Sequence, residues 1–187
     1  MKEITYITSN HEKSNEAKLI AARFDINLIP NLDLGIDEIK SLDQSEVSEA
    51  AAKRAFAILH QPLITDDAGL YIENLNQFPG AYTKFLFQTI GVSGLWRIIN
   101  QDCINATWKC FLTYIDDTRI ITSIGQLKGQ LRTTQNPESS KASNYDSIFF
   151  PEKYDKQLQK LSLTEKSTIS HRKAAFTTLF EKLNKDD

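Results

Sequence analysis

No stretch of this 187-residue chain approaches the roughly 20 consecutive apolar residues that a membrane helix needs. The opening Met1-Lys2-Glu3-Ile4-Thr5-Tyr6 lacks the uninterrupted apolar run of a secretory signal. No membrane partner is expected, and the cytoplasm is the expected compartment. An excess of either charge is also missing: 22 Lys and Arg stand against 24 Asp and Glu, a formal net charge of −2. No global field therefore recruits nucleic acid or an anionic membrane, and no basic stripe interleaved with aromatics marks a nucleic-acid binder. Any anionic ligand must be met by a local cluster of cations. Cysteine is scarce. Cys103 and Cys110 could pair, but without an export signal such thiols stay reduced, and both are expected in the core. Internal repeats and low-complexity tracts are absent. What remains is ordinary for a globular chain, 41% hydrophobic and 25% charged, with length for one sizeable core, either a single domain or one with a smaller lobe.

The stretch around which the chain is organised is Pro62-Leu63-Ile64-Thr65-Asp66-Asp67-Ala68-Gly69-Leu70. A short apolar run after a proline reads as a buried strand, and Asp-Asp-Ala-Gly as its exposed end. Successive side chains on a strand face opposite ways, so Asp66 and Asp67 cannot share one cleft. One can hold a metal or a water while the other braces a turn; on the dipeptide alone, an Asx-turn closing the strand is the competing reading.

Earlier in the chain, Ile4-Thr5-Tyr6-Ile7-Thr8 has the β-branched and aromatic content of a central strand. It stops at Ser9-Asn10, residues that cap helices well, and Ala17, Ile20, Ala21 and Phe24 then repeat at helical spacing. A helix N-terminus with Lys13 in its first turn attracts anions, although a plain strand-to-helix connection would look the same. A second strand is expected over residues 26–30, and a polar loop carrying Glu38 over 31–44. The helix from about Ser45 should bury Val47, Ala51, Ala55 and Ile58, leaving Glu49, Lys53 and Arg54 for solvent or a cleft. Strand, helix, strand, helix, strand is an α/β pattern, whose ligands bind at strand carboxyl ends.

Downstream, Phe78-Pro79-Gly80 reads as a turn, and Tyr82 to Gln88 and Gly94 to Asn100 as two short helical pieces. Two strands, from Asn105 to Ile115 and from Arg119 to Leu131, should form an antiparallel hairpin about Asp116-Asp117-Thr118. Gly125 and Gly129 within it suggest a bulge or a close backbone approach. Residues 133–144 read as a polar loop, 145–151 as an aromatic strand and 162–183 as one final helix, whose leading portion carries Lys166, His171 and Arg172.

Four stretches, in this order and spacing, resemble the inosine triphosphate pyrophosphatase family: TSNHEK (Thr8 to Lys13) followed by Glu16; TDDAGL (Thr65 to Leu70) followed by FPGAY; GQLKGQL (Gly125 to Leu131); and EKSTISHRKAA (Glu165 to Ala175). The resemblance covers nearly the whole chain. It implies Mg²⁺-dependent hydrolysis of deaminated purine nucleoside triphosphates such as ITP, dITP and XTP to the monophosphate and pyrophosphate. It also implies an elongated mixed-sheet α/β fold, in which two lobes flank a central nucleotide-binding cleft, as one domain over residues 1–187. The second lobe would include the 105–131 hairpin, and the protein would be a homodimer. Asp67 matches the family's catalytic carboxylate, acting as a Mg²⁺ ligand or a general base toward water at the α-phosphorus. Glu38 matches a second metal ligand, with a solvated loop acid as its plain alternative. A triphosphate needs a metal and several donors, and the resemblance assigns these to Thr8, Ser9, Asn10 and Lys13, with Lys53, Ala68 and Lys166 as further contacts. Lys53 reads equally as a solvated helix residue. His171 and Arg172 match the base-reading pair; a guanidinium would donate to a 6-keto oxygen but face a 6-amino group donor to donor. Outside the family match, His171 would be a cap or a core histidine.

Tyr145 and Asp146 are retained from the family's base-side segment, but Ser143 stands where an aromatic would stack on the base, an interaction worth roughly 1–3 kcal/mol. Phe149 or Tyr154 could compensate. Ala68 replaces a common Ser or Thr, and Lys160 stands where an acid is common. Two rivals to the leading reading follow: the same hydrolysis with an altered base preference, and a nucleotide-sensing module without turnover.

Overall fold

A computed structural model describes residues 2–37, 39–133 and 145–185. Its strands and helices alternate as β1 (Lys2–Ile7), α1 (His11–Ala21), β2 (Ile26–Asn31), α2 (Gln44–Leu59), β3 (Leu63–Ile72), β4 (Pro79–Gly80), α3 (Thr83–Ile99), β5 (Cys103–Ile115), β6 (Ile120–Arg132), β7 (Phe149–Pro151), α4 (Leu163–Ile169) and α5 (His171–Lys185). The mixed sheet has the strand order β2-β1-β3-β5-β6-β7, with β4 pairing β3. Among the described residues no helix is long and apolar enough to cross a membrane.

The chain divides into two compact units. The first comprises the described residues up to Asp67, Cys110–Gln126 and those from Leu163 on; the second comprises Ala68–Lys109 and Leu127–Ser162. The β5–β6 hairpin is therefore shared, its turn half in the first unit and its open half in the second.

The first unit is a three-layer sandwich. Parallel β1 and β2 register Lys2 with Ile26 through to Ile7 with Asn31, and β1 pairs β3 with Ile7 opposite Thr65. On one sheet face, Ile4, Tyr6, Ile64, Cys110, Leu112 and Tyr114 pack on Ala17, Ile20 and Ala21 of α1 and on Ala175, Phe176, Leu179 and Phe180 of α5. On the other, Leu63 and Ile115 pack on Ala52 and Ala55 of α2. The double cover explains why Leu63, Ile64 and Thr65 of β3 are all buried without alternation, because odd and even residues each meet a helix layer.

Gly125 is obligatory here: a Cβ would strike the His171 carbonyl and the Ala175 amide, so β6 and the start of α5 touch backbone to backbone. Ser123 Oγ donates to the Ala175 carbonyl at 2.9 Å and pins the same contact.

In the second unit, β4 pairs antiparallel with β3 at Leu70–Gly80, and β7 with β6 at Leu131–Phe149. The two helical pieces expected between Tyr82 and Asn100 are present and meet within α3 at a kink, Gly91, whose φ of 62° is non-helical. Gly129 is a close approach as expected, since a Cβ there would meet Phe149 and the Phe150 carbonyl.

Five expectations are corrected. β3 does not end at Asp66-Asp67 but runs ten residues, because its second half gains β4 as a partner and Thr83 Oγ1 accepts from the Leu70 amide at 2.8 Å. It is β1 that ends there. The residues 145–151 divide into a 3-10 turn, Tyr145–Ser147, and the short β7. The last helix breaks at Ser170, whose Oγ accepts from the Lys173 amide at 3.0 Å and so caps α5 as a separate helix. Helix α2 buries Gln44, Val47, Ser48, Ala52 and Ala55 while Ile58 is exposed, because polar contacts to β3 rotate the helix away from its most apolar stripe. Cys103 is exposed; only Cys110 of the two thiols is buried. Glu38, Ser143 and, of the loop expected over 133–144, all but Thr133 lie outside the described residues.

Candidate active site

The site grows from three places in the first unit: the turn from β1 to α1, the middle of β3 and the start of α5. After β1, Thr8 Oγ1 accepts from the Asn10 amide at 3.2 Å, and Asn10 Oδ1 accepts from the amides of Glu12 at 2.8 Å and Lys13 at 3.1 Å. The expected cap is therefore made, and it engages two of the N–H groups a phosphate could have used. Lys13 leaves the first turn of α1 with its side chain 26% exposed. Ser9 and Asn10 are exposed and Thr8 is half-buried.

Asp66 and Asp67 point to opposite faces of β3, as strand geometry requires. The Asp66 side chain is completely buried. Its Oδ1 accepts from Lys13 Nζ at 2.7 Å, and its Oδ2 accepts from Arg172 Nε at 2.7 Å and from the Tyr6 hydroxyl at 2.8 Å. Arg172 Nη1 donates to Glu16 Oε2 at 2.6 Å, and Glu16 also accepts from Ser170 Oγ. Two cations and two carboxylates thus close a buried, electrically balanced cluster.

Titration behaviour follows. Burial alone would raise the Asp66 carboxyl, but the Arg172 and Lys13 charges outweigh it and hold Asp66 well below the ordinary carboxylate range. Burial pulls Lys13 down, and Asp66 more than restores it, leaving Lys13 above its ordinary value. Burial, with the Asp66 charge second, drives the Tyr6 phenol and the Cys110 thiol upward. His171 is pushed well below its ordinary value by burial and then by the Arg172 charge, so it stands neutral in the first turn of α5.

Asp67 faces α2, half-buried, and its Oδ2 accepts from Gln44 Nε2 at 2.9 Å. Because β1 stops at Ile7, opposite Thr65, both aspartates sit just past the carboxyl end of β1. The strand-end rule holds, through the neighbouring strand.

The structure therefore brings Lys13, Arg172 and His171 to one side of β3 around Asp66, with Asp67 on the other. Lys166 lies half-buried in α4, which Arg23 anchors by donating to the Ser167 carbonyl at 3.0 Å and to its hydroxyl at 2.9 Å. Lys53 stays apart on the exposed face of α2, paired with Glu49 at 2.6 Å. Ala68, Tyr145 and Asp146 belong to the second unit. Tyr145 is buried edge-to-face on Phe87 at 5.1 Å between centroids, and its hydroxyl donates to the Gly91 carbonyl at 3.4 Å. Phe149 is fully buried against Trp108, which leaves it no face for a base; Tyr154 is half-buried. Lys160 is exposed, and nothing around it explains the change from an acid.

Tyr6, Glu16 and Gln44 are site residues without a role in the sequence reading. Glu16 had a signal: with Lys13 it continues the helical stripe of Ala17 and Ile20, so a charge there had to be buried and paired.

Among the described residues no three His, Cys, Asp or Glu side chains converge on one point. A Mg²⁺ ion needs only one or two carboxylates and completes its shell with phosphate and water; Asp67, half-buried, is a candidate for one of them.

Residues 4–182 match the Ham1 family model. The chain is 37% identical to a dITP/XTP pyrophosphatase of Saccharolobus solfataricus, across 96% of this chain and 92% of that one. To a dITP/XTP pyrophosphatase of Methanopyrus kandleri it is 33% identical, across 96% and 95%. Its fold is that of a HAM1 protein from Coxiella burnetii (TM-score 0.78, 22% identity, 99% of this chain and 100% of that one) and of the Staphylococcus aureus Ham1 protein (TM-score 0.71, 26% identity, all of both chains). The chain belongs to the Ham1 family.

Proposed function

We propose that this protein is a nucleoside triphosphate pyrophosphatase that hydrolyses deaminated purine nucleotides, ITP, dITP and XTP, to the monophosphate and pyrophosphate, in the cytoplasm, with Mg²⁺ and as a homodimer. The observation that carries the reading is the similarity to dITP/XTP pyrophosphatases over 96% of the chain. The geometry at Asp67 and Lys13 supports it.

Water attacks the α-phosphorus, the bond from that phosphorus to the bridging oxygen breaks, and pyrophosphate leaves. Asp67 orients the water and takes its proton, or would serve instead as a metal ligand; either role suits a half-buried carboxylate oriented by the Gln44 amide. Mg²⁺, held by Asp67 and by Glu38, would neutralise the charge that develops on the phosphate oxygens. Lys13 has three N–H donors and gives one to Asp66, so two are available to phosphate while the side chain stays anchored. Thr8 and Ser9 line the same turn.

Arg172 uses three of its five N–H groups on Asp66 and Glu16, at Nε, Nη1 and Nη2, so two remain for a purine O6. His171, Lys166, Tyr145 and Asp146 complete the proposed nucleotide contacts, Ala68 contributes backbone only, and Lys53 must leave Glu49 to take part.

Pyrophosphate release from ITP, XTP, dITP, GTP, ATP, dUTP and CTP with Mg²⁺, for the natural chain and Asp67→Asn, tests this. The expected result is rapid turnover of ITP, dITP and XTP that disappears in the variant. Turnover of a different base would replace the substrate assignment, and nucleotide binding without pyrophosphate from any triphosphate would leave a sensing module.

A further inference from the structure

Gln44 is a long polar side chain in the first turn of α2, a position where solvent is normally within reach, yet it is only 1% exposed. The local chain is built to seat it. Asp43 caps the helix by accepting from the Ser45 amide at 2.8 Å, and Ser41 Oγ accepts from the Asp43 amide at 3.0 Å. One helical turn after Gln44, Ser48 meets the same strand: Thr65 Oγ1 donates to the Ser48 carbonyl at 2.9 Å, and the Ser48 and Thr113 hydroxyls lie 3.0 Å apart.

The spacing is matched. Four residues of helix rise about 6.0 Å and two residues of strand about 6.6 Å. The pair Gln44 and Ser48 therefore fits the pair Asp67 and Thr65, and α2 is fastened to one face of β3 at two points. The Ser48 attachment holds the strand; the Gln44 attachment holds the Asp67 carboxylate itself, at 2.9 Å.

We propose that Gln44 is a positioning residue for Asp67, fixing its side-chain torsions in the reactive orientation through the Nε2 to Oδ2 hydrogen bond. The inference rests on the reading of Asp67 as the group that acts on the water or the metal. Gln44 touches no substrate in this scheme, so its loss leaves nucleotide affinity intact and slows the chemical step, where a displacement of about 1 Å can lower the rate on the order of 100-fold.

Three variants test this. Gln44→Met keeps the length and removes the donor, Gln44→Glu keeps the shape and opposes a second carboxylate to the first, and Gln44→Asn keeps the amide but falls one methylene short. The expected result is that kcat for ITP falls roughly 10- to 100-fold in Met and Asn and further in Glu. KM and the calorimetric affinity for a non-hydrolysable α,β-methylene analogue of ITP should both stay within about twofold of the natural chain by the same differential-binding argument. If Gln44→Met does not fold, Gln44→Asn carries the test. Natural kcat in a folded Met or Asn variant, beside an inactive Asp67→Asn, overturns the inference and leaves the role of Asp67 standing. Parallel losses of analogue affinity, kcat and melting temperature overturn it in favour of packing alone. Natural kcat in Asp67→Asn overturns the reading of the site and the inference with it.

Discussion

Asp66 and Asp67 are the same residue type one peptide apart, and the two faces of β3 put them in opposite chemical worlds. Asp66 looks toward α1 and α5 into a cluster of full charges, with Lys13, Arg172 and Glu16 around it. Asp67 looks toward α2, where it accepts from Gln44 and where the Ser48 hydroxyl lies against those of Thr65 and Thr113. In a low-dielectric interior, paired charges fix geometry strongly and are expensive to break. A neutral amide donor such as Gln44 orients a carboxylate without cancelling its charge. The comparison teaches that a single step along a strand separates a residue that holds the fold from one suited to chemistry.

The largest expected effect breaks the charged face. Asp66→Asn leaves Lys13 and Arg172 buried with only Glu16 to balance them, and urea unfolding should register a loss of about 3–5 kcal/mol. A loss below 1 kcal/mol would mean that the cluster is not a structural unit. A smaller effect on the same face comes from pH. Burial keeps His171 neutral in the folded chain, whereas the unfolded chain takes a proton at the ordinary value near 6.5. Below that pH the unfolded state binds the extra proton, so stability should fall by about 1.4 kcal/mol per pH unit as pH drops. In His171→Gln that segment of the stability curve should be flat between pH 6.5 and 5 relative to the natural chain.

On the neutral face the effects shrink. Ser48→Ala removes the hydroxyl that joins α2 to the Phe111 carbonyl and the Thr113 hydroxyl, and a loss of roughly 1–2 kcal/mol is expected in the same unfolding assay. Smallest of all, Lys53→Ala removes an exposed pair with Glu49 one turn away and should change stability by less than about 0.5 kcal/mol. A larger change would show that Lys53 holds something other than its helix neighbour.

Much of this was legible from local pattern. The β-branched run of β1, the Asn10 cap, the alternation in the first half of β5 and the hairpin about Asp116 each depend on near neighbours, and each is present; the close approaches at Gly125 and Gly129 were legible from residue type alone, their partners being His171, Ala175, Phe149 and Phe150. What escaped depends on partners distant in sequence. β3 continues past Asp67 because β4, which begins twelve residues later, pairs with it. Helix α2 turns its polar Gln44 and Ser48 inward because Asp67 and Thr65 receive them, so its most apolar stripe is not its buried one. The final helix breaks because Ser170 reaches back to Glu16, 154 residues earlier. At the site, alternation separated Asp66 from Asp67 correctly, but only the fold could show that Lys13 and Arg172 both close on Asp66.

The most direct test compares Asp66→Asn and Asp67→Asn side by side, measuring unfolding free energy in urea and pyrophosphate release from ITP on the same preparations. Asp66→Asn is expected to lose several kcal/mol of stability, about 3–5, while Asp67→Asn stays within about 1 kcal/mol of the natural chain and releases no pyrophosphate. A stable Asp66→Asn together with an active Asp67→Asn would contradict both expectations.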